Sequence, residues 1–210
     1  MKRSRAALAL VAGLALAVAG CGSDDDTGTT GEETTTVDTA ALPADLAYRT
    51  VGGLRVPSSR VDGPATTAPP QGYSHTPQGA ALAAANGQAA LATAPDAQWA
   101  ETVRTVTAPG PGRDEFAYAR TLMTVQGSVA EEDAATFVGF RVTEYEPSRA
   151  IVLLATRTPT RNGASLTTAY PVETAWLAGD WKIVLPQQKD EIDAVEISDL
   201  DGFTNWEEKA

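Results

Sequence analysis

Up to about Val125 the apolar residues of this chain recur at helical spacing, and from Ala135 onward they alternate. Helices and strands bury their apolar residues at different periods, so a block of helices followed by a block of strands predicts an α+β domain. The helical block opens with Thr76 as N-cap and Pro77 at the first helical position, followed by an alanine-rich run to Leu91. Such a helix is narrow, and Gly79 and Gly87 lie near one face where another backbone can approach. A second helix is expected over 96–107, with Asp96 as N-cap and Trp99, Val103 and Val106 forming one apolar stripe. Ala108-Pro109-Gly110-Pro111-Gly112 ends it, and a third helix is expected over 113–125.

The alternating block divides into four strands, over 137–145, 150–157, 166–177 and 181–185. The second is apolar on both faces and reads as central. Asn162-Gly163 and Gly179-Asp180 mark turns, and Pro171, which cannot donate to a ladder, marks a bulge or an unpaired position. Residues 48–56 read as a strand or extended arm, and 57–72 as a surface connection rich in Pro, Ser, Gly and Thr. The expected architecture is therefore a set of N-terminal helices packed on a curved four-stranded antiparallel sheet.

Residues 1–43 lie outside this pattern. Lys2, Arg3 and Arg5 precede an apolar run from Ala6 to Ala19, which Gly20 and the chain's one cysteine, Cys21, follow. A run of about 14 apolar residues is shorter than the roughly 20 a membrane-spanning helix requires. Small residues directly before a cysteine fit a lipoprotein signal peptide over 1–20, cleaved between Gly20 and Cys21, with Cys21 carrying the lipid. Acylation also removes the liability of a lone thiol in an oxidising space. Residues 21–43 are rich in Gly, Thr and Asp, with too little apolar surface to offset the entropy of ordering them. They read as a disordered tether about 25 Å in typical reach. Residues 44–210 suffice for a single domain.

Loss of residues 1–20 leaves 13 Lys and Arg against 27 Asp and Glu, a formal charge of −14. So acidic a chain disfavours binding to nucleic acid, whose phosphates are held mainly by Lys and Arg. No metal-ligand cluster, phosphate loop, nucleophile elbow or dinucleotide fingerprint accompanies the strands, so no catalytic residue, metal or cofactor is assigned. His75, the one histidine, could act as a general base; its place just before a helix N-cap favours a local hydrogen bond instead. Trp99, Trp176, Trp181 and Trp206 could stack a ligand, and filling the interior is the preferred alternative. The acidic stretch after Gln187 carries Leu200, Phe203 and Trp206 at a spacing that packs them onto the domain.

Four segments read together carry a resemblance: Gly72-Tyr73-Ser74-His75-Thr76-Pro77, Ala108-Pro109-Gly110-Pro111-Gly112-Arg113-Asp114, Gly179-Asp180-Trp181-Lys182, and Leu200-Asp201-Gly202-Phe203 with Trp206. They resemble a family of actinobacterial exported proteins and lipoproteins of unknown function, associated with integrative and conjugative elements. The order of elements is similar to the nuclear-transport-factor-2-like, or cystatin-like, cone. The resemblance implies a lipid-anchored extracytoplasmic binding or assembly module on the outer face of the cytoplasmic membrane, with envelope or conjugation proteins as partners. The alternative is a small-ligand binder or enzyme using a cone-shaped pocket.

Overall fold

The computed structural model describes residues 37–125, 128–190, 192 and 194–207. The expected signal peptide, its cleavage site at Gly20 and the lipidation site Cys21 lie outside these residues, as does the tether up to Thr36. The last part of the expected tether is placed on the domain. Asp38 accepts hydrogen bonds from the amides of Ala40 and Ala41, Gln78 donates to the carbonyls of Asp38 and Ala41, and Leu42 packs on the core.

The expected four-stranded sheet under helices is not what forms. Eight strands build one mixed sheet that curls into a half-barrel, with three helices among the described residues. Four of the strands are those the alternation marks: β5 (Thr136–Glu146), β6 (Arg149–Pro159), β7 (Ser165–Leu177) and β8 (Asp180–Val184), paired as an antiparallel meander. The stretch 48–56, read as one strand or an extended arm, is instead a hairpin. Gly52 and Gly53 both take positive φ (53° and 89°), a two-residue turn that folds β1 (Leu46–Val51) onto β2 (Leu54–Ser59). β2 then joins β5 in parallel at Arg55 and Thr136 and extends the sheet beyond the meander. The acidic C-terminal stretch adds two short strands, β9 (Val195–Glu196) along β7 and β10 (Thr204–Asn205) along β5. These additions overturn the cone expectation.

Pro171 makes no bulge. It stays in register with Leu153 of β6 and falls between the segments of β7 that pair with β8 and with β9, the unpaired alternative. The register shifts lie in β5, between Phe137 and Gly139 and between Val142 and Glu144, where they bend the sheet. The connection 57–72 is less irregular than expected. It contains the end of β2 and the small ladder of β3 (Thr66–Thr67) with β4 (Pro70–Gln71).

α1 (Pro77–Thr93) begins as expected, with the Thr76 hydroxyl accepting from the Gly79 amide and Pro77 in the first turn. It is buried on almost every side and touches strands across the whole sheet, from β1 to β8. Alanine makes that burial feasible, because each turn presents little more than backbone to its neighbours. A Cβ at Gly79 would collide with the Ser74 carbonyl oxygen, and one at Gly87 would lie 2.5 Å from Ile183 Cδ1. The fully buried polar side chain in the middle of the helix, Asn86, is fully used. Its amide donates to the carbonyls of Pro57 and Leu82, and its oxygen accepts from Arg49 Nε (3.1 Å) and Nη2 (2.5 Å).

α2 (Trp99–Val106) starts three residues later than expected, because Asp96 serves another partner. Its carboxylate accepts from the Val125 amide (3.0 Å) and from the almost fully buried Arg120 (2.8 Å), which hold its pKa below the usual carboxylate range, the amide contributing most. Arg120 also closes α3 (Pro111–Arg120), five residues short of the expected end, by donating to the Met123 and Ala94 carbonyls. At the C-terminus Trp206 is fully buried against Phe140, ring centroids 5.0 Å apart, and Leu200 and Phe203 cover Gly139, as the apolar spacing predicts.

Three substitutions test this packing in urea unfolding. Gly79→Ala should destabilise by about 1–3 kcal/mol, since Cβ meets backbone there; Gly87→Ala should cost less, because Ile183 can turn aside and alanine favours helix by about 1 kcal/mol. The buried Tyr73 hydroxyl has no partner among the described residues, so Tyr73→Phe should be neutral or stabilising by up to about 1 kcal/mol.

Candidate functional site

Of the side chains singled out in the sequence, the fold brings His75, Trp176 and Trp181 together and leaves Trp99 and Trp206 elsewhere. His75 lies at the surface with its ring stacked on Trp176, centroids 4.0 Å apart and planes within 12°. Trp181, beneath them, is buried and donates from Nε1 to the Ser74 carbonyl (3.0 Å), while the Tyr145 hydroxyl donates to the His75 carbonyl (3.2 Å). His75 Nε2 faces the Pro147 carbonyl at hydrogen-bond distance, which requires the proton on that nitrogen. Asp180 completes the corner. Although it lies at a turn, it is buried and accepts from the Gly72 and Tyr73 amides (3.2 and 3.0 Å) and from Lys182 Nζ (3.1 Å).

This corner joins the loop before α1 to the β5–β6 and β7–β8 hairpins. His75, Tyr145, Trp181 and Asp180 each have a backbone partner, so the geometry assigns His75 the local hydrogen bond and the cluster a fastening role. Trp99, half-buried, has the Arg120 guanidinium 5.7 Å from its ring; Trp206 fills the core, its indole N–H without a partner among the described residues. Among the described residues no group of three or more His, Cys, Asp or Glu is placed to hold a metal ion.

Several clefts open on the surface. One of about 490 Å³ runs between the β3–β4 ladder and the ends of α1 and α2, past Pro69, Thr93 and Glu101. Another, of about 570 Å³, is largely apolar and lies at the gap in β7, where burial pushes the Tyr170 hydroxyl up to about 12. A third, of about 790 Å³, lies beside the β1–β2 hairpin and is lined by Tyr48, Thr50, Arg55 and Thr136. Of these, the hairpin combines a cleft with exposed backbone, since β1 is the last strand of the sheet and pairs with β2 alone. Sequence reasoning passed over this corner. The signal was present in Gly52-Gly53, flanked on both sides by β-forming residues, which is a hairpin pattern.

The described residues thus form a half-barrel sheet wrapped on a small-residue helix, with the β1 edge of the sheet open. The chain belongs to the family described as a domain of unknown function (DUF8175), whose model matches residues 15–205. Neither the curated proteins nor the solved structures gave a match to it. Among the described residues no helix is long and apolar enough to cross a membrane.

The fastening role of His75 has a measurable consequence. His75→Ala removes one aromatic stack and one hydrogen bond and should lower stability by about 1–2 kcal/mol in urea unfolding, with a change in tryptophan emission. Unchanged stability would mean that the loop before α1 is held without it.

Proposed function

We propose that the mature chain is a lipid-anchored extracytoplasmic binding or assembly module, held on the outer face of the cytoplasmic membrane as an accessory of a conjugation or other envelope complex. The observation that carries the anchoring is Cys21, placed after Val18-Ala19-Gly20 at the end of a short apolar run behind three cations. Two acyl chains on one cysteine supply the two signals that stable anchoring requires. The direction in which partners are sought comes from the four segments that resemble exported proteins associated with integrative and conjugative elements. A binding role draws support from two features of the domain. The sheet edge at β1 is open, and His75, the candidate base, is engaged with the Pro147 carbonyl and the Trp176 ring.

Metabolic labelling with an alkyne fatty acid tests the anchor. The full chain should incorporate the label and sediment with membranes, and Cys21→Ala should lose all of the label. Label retained by that variant, or absent from the natural chain, would overturn lipidation at Cys21. Crosslinking in cells tests the partners, with envelope or transfer-channel proteins expected above the Cys21→Ala background.

A further inference from the structure

The type of turn at Gly52-Gly53 fixes which way the backbone of β1 faces. In a two-residue hairpin the flanking pair, Val51 and Leu54, exchange hydrogen bonds, as do Arg49 with Val56 and Ala47 with Ser58. The alternate residues Leu46, Tyr48 and Thr50 therefore turn their N–H and C=O groups outward. Pro57, which has no N–H, stands opposite Tyr48 in one of these non-bonded pairs, consistent with that register. The outward groups of Leu46, Tyr48 and Thr50 find no hydrogen-bond partner among the described residues. They form a row of three donors and three acceptors with the spacing of an added strand.

The side chains beside this row carry a charge opposite to that of the molecule. Arg55, across the hairpin from Thr50, crosses the strand and lies with its guanidinium carbon 3.8 Å from the centroid of the Tyr48 ring. The cation is thereby held over β1, one strand closer to the open edge than its own backbone. It is exposed and makes no ion pair or hydrogen bond with a described residue. The nearby Glu207 carboxylate is taken by Arg157, at 2.9 and 3.1 Å. Arg55 is the charged side chain on this face of the cleft, and none of its described lining residues is a carboxylate, in a chain with 27 acids and a net charge of −11.

We propose that β1 binds an extended acidic peptide, which adds to the sheet edge as a further strand and places a carboxylate against Arg55. The ligand residue paired with Tyr48 projects its side chain on the same face as the Tyr48 ring, about 5 Å away across the strand spacing, where the guanidinium waits. Arg49 faces the opposite side, held by Asn86, and leaves the register to Arg55. The proposal rests on the reading of the chain as a binding module, and it does not depend on the anchor at Cys21.

The test is fluorescence anisotropy of the full chain, purified in a non-ionic detergent, with a labelled acetyl-Ser-Thr-Val-Glu-Val-Thr-Ser amide and its counterpart carrying Lys in place of Glu. The acidic peptide should bind saturably and at least tenfold more tightly than the basic one, and Arg55→Glu should reverse that preference. Thr50→Pro removes one outward N–H without touching the β1–β2 ladder and should weaken binding at least tenfold. Should that variant fail to fold, an acidic peptide N-methylated at its glutamate removes the matching donor from the ligand. Absence of saturable binding, indifference to the sign of the peptide's charge, or binding that survives both backbone blocks would overturn the proposal. Sedimentation showing a dimer that Thr50→Pro dissolves would assign the edge to a second copy of the chain and overturn it equally.

Discussion

The structure depends on the depth to which α1 sinks into the curled sheet. A helix of ordinary composition is apolar on one stripe and keeps its other face in water. α1 is lined by alanine all round, so that backbone atoms of the helix and side chains of six strands meet at close range, and the curl of the sheet follows the cylinder it encloses. Burial of one polar residue in such a helix would be costly without partners. Asn86 has four, and two of them come from Arg49, so that the helix, the β1–β2 hairpin and the sheet share one hydrogen-bonded centre. Burial in turn lowers the pKa of the Arg49 guanidinium, a cost borne in keeping the hairpin on the helix.

The loops are fastened by a second set of buried carboxylates. Asp62 accepts from the Ala44 amide and from the hydroxyls of Ser74 and Thr76, and Asp180 holds the amides of Gly72 and Tyr73. Acid-rich sequence is here partly internal structure. The carboxylates at the helical periphery behave similarly: Glu115 is held below its usual range chiefly by the Gln188 amide and then by Gln187, tying α3 to the segment after β8.

How much of this was legible varied with the range of the interaction that decides it. The helix from Pro77 and the meander from β5 to β8 are set by local period and capping, and sequence suffices for both. Asp96 has the right residue type for an N-cap, but a buried arginine twenty-four positions later claims its carboxylate, and no local pattern reveals that competition. The hairpin was written in Gly52-Gly53; its pairing with β5 was not, because a single parallel bridge at Arg55 and Thr136 leaves no periodic trace. At the candidate site the aromatic residues were visible as types, whereas their partners, the Ser74 and Pro147 carbonyls, are backbone atoms with no signature in composition. The open edge of β1 follows from turn geometry, and a chain read as one strand across that turn conceals it.

That same bridge between β2 and β5 sets the chain's topological load. Strands β5 to β8 join through short turns, each closing a small loop. Bringing Arg55 to Thr136 closes a loop that contains all three helices. Loop-closure entropy grows with the span enclosed, so the N-terminal hairpin is the part of the sheet whose attachment is least supported by local sequence. Its hold comes from Asn86 and from the side chains of α1, and the sheet's outermost strand is moored to the helix as much as to its neighbours.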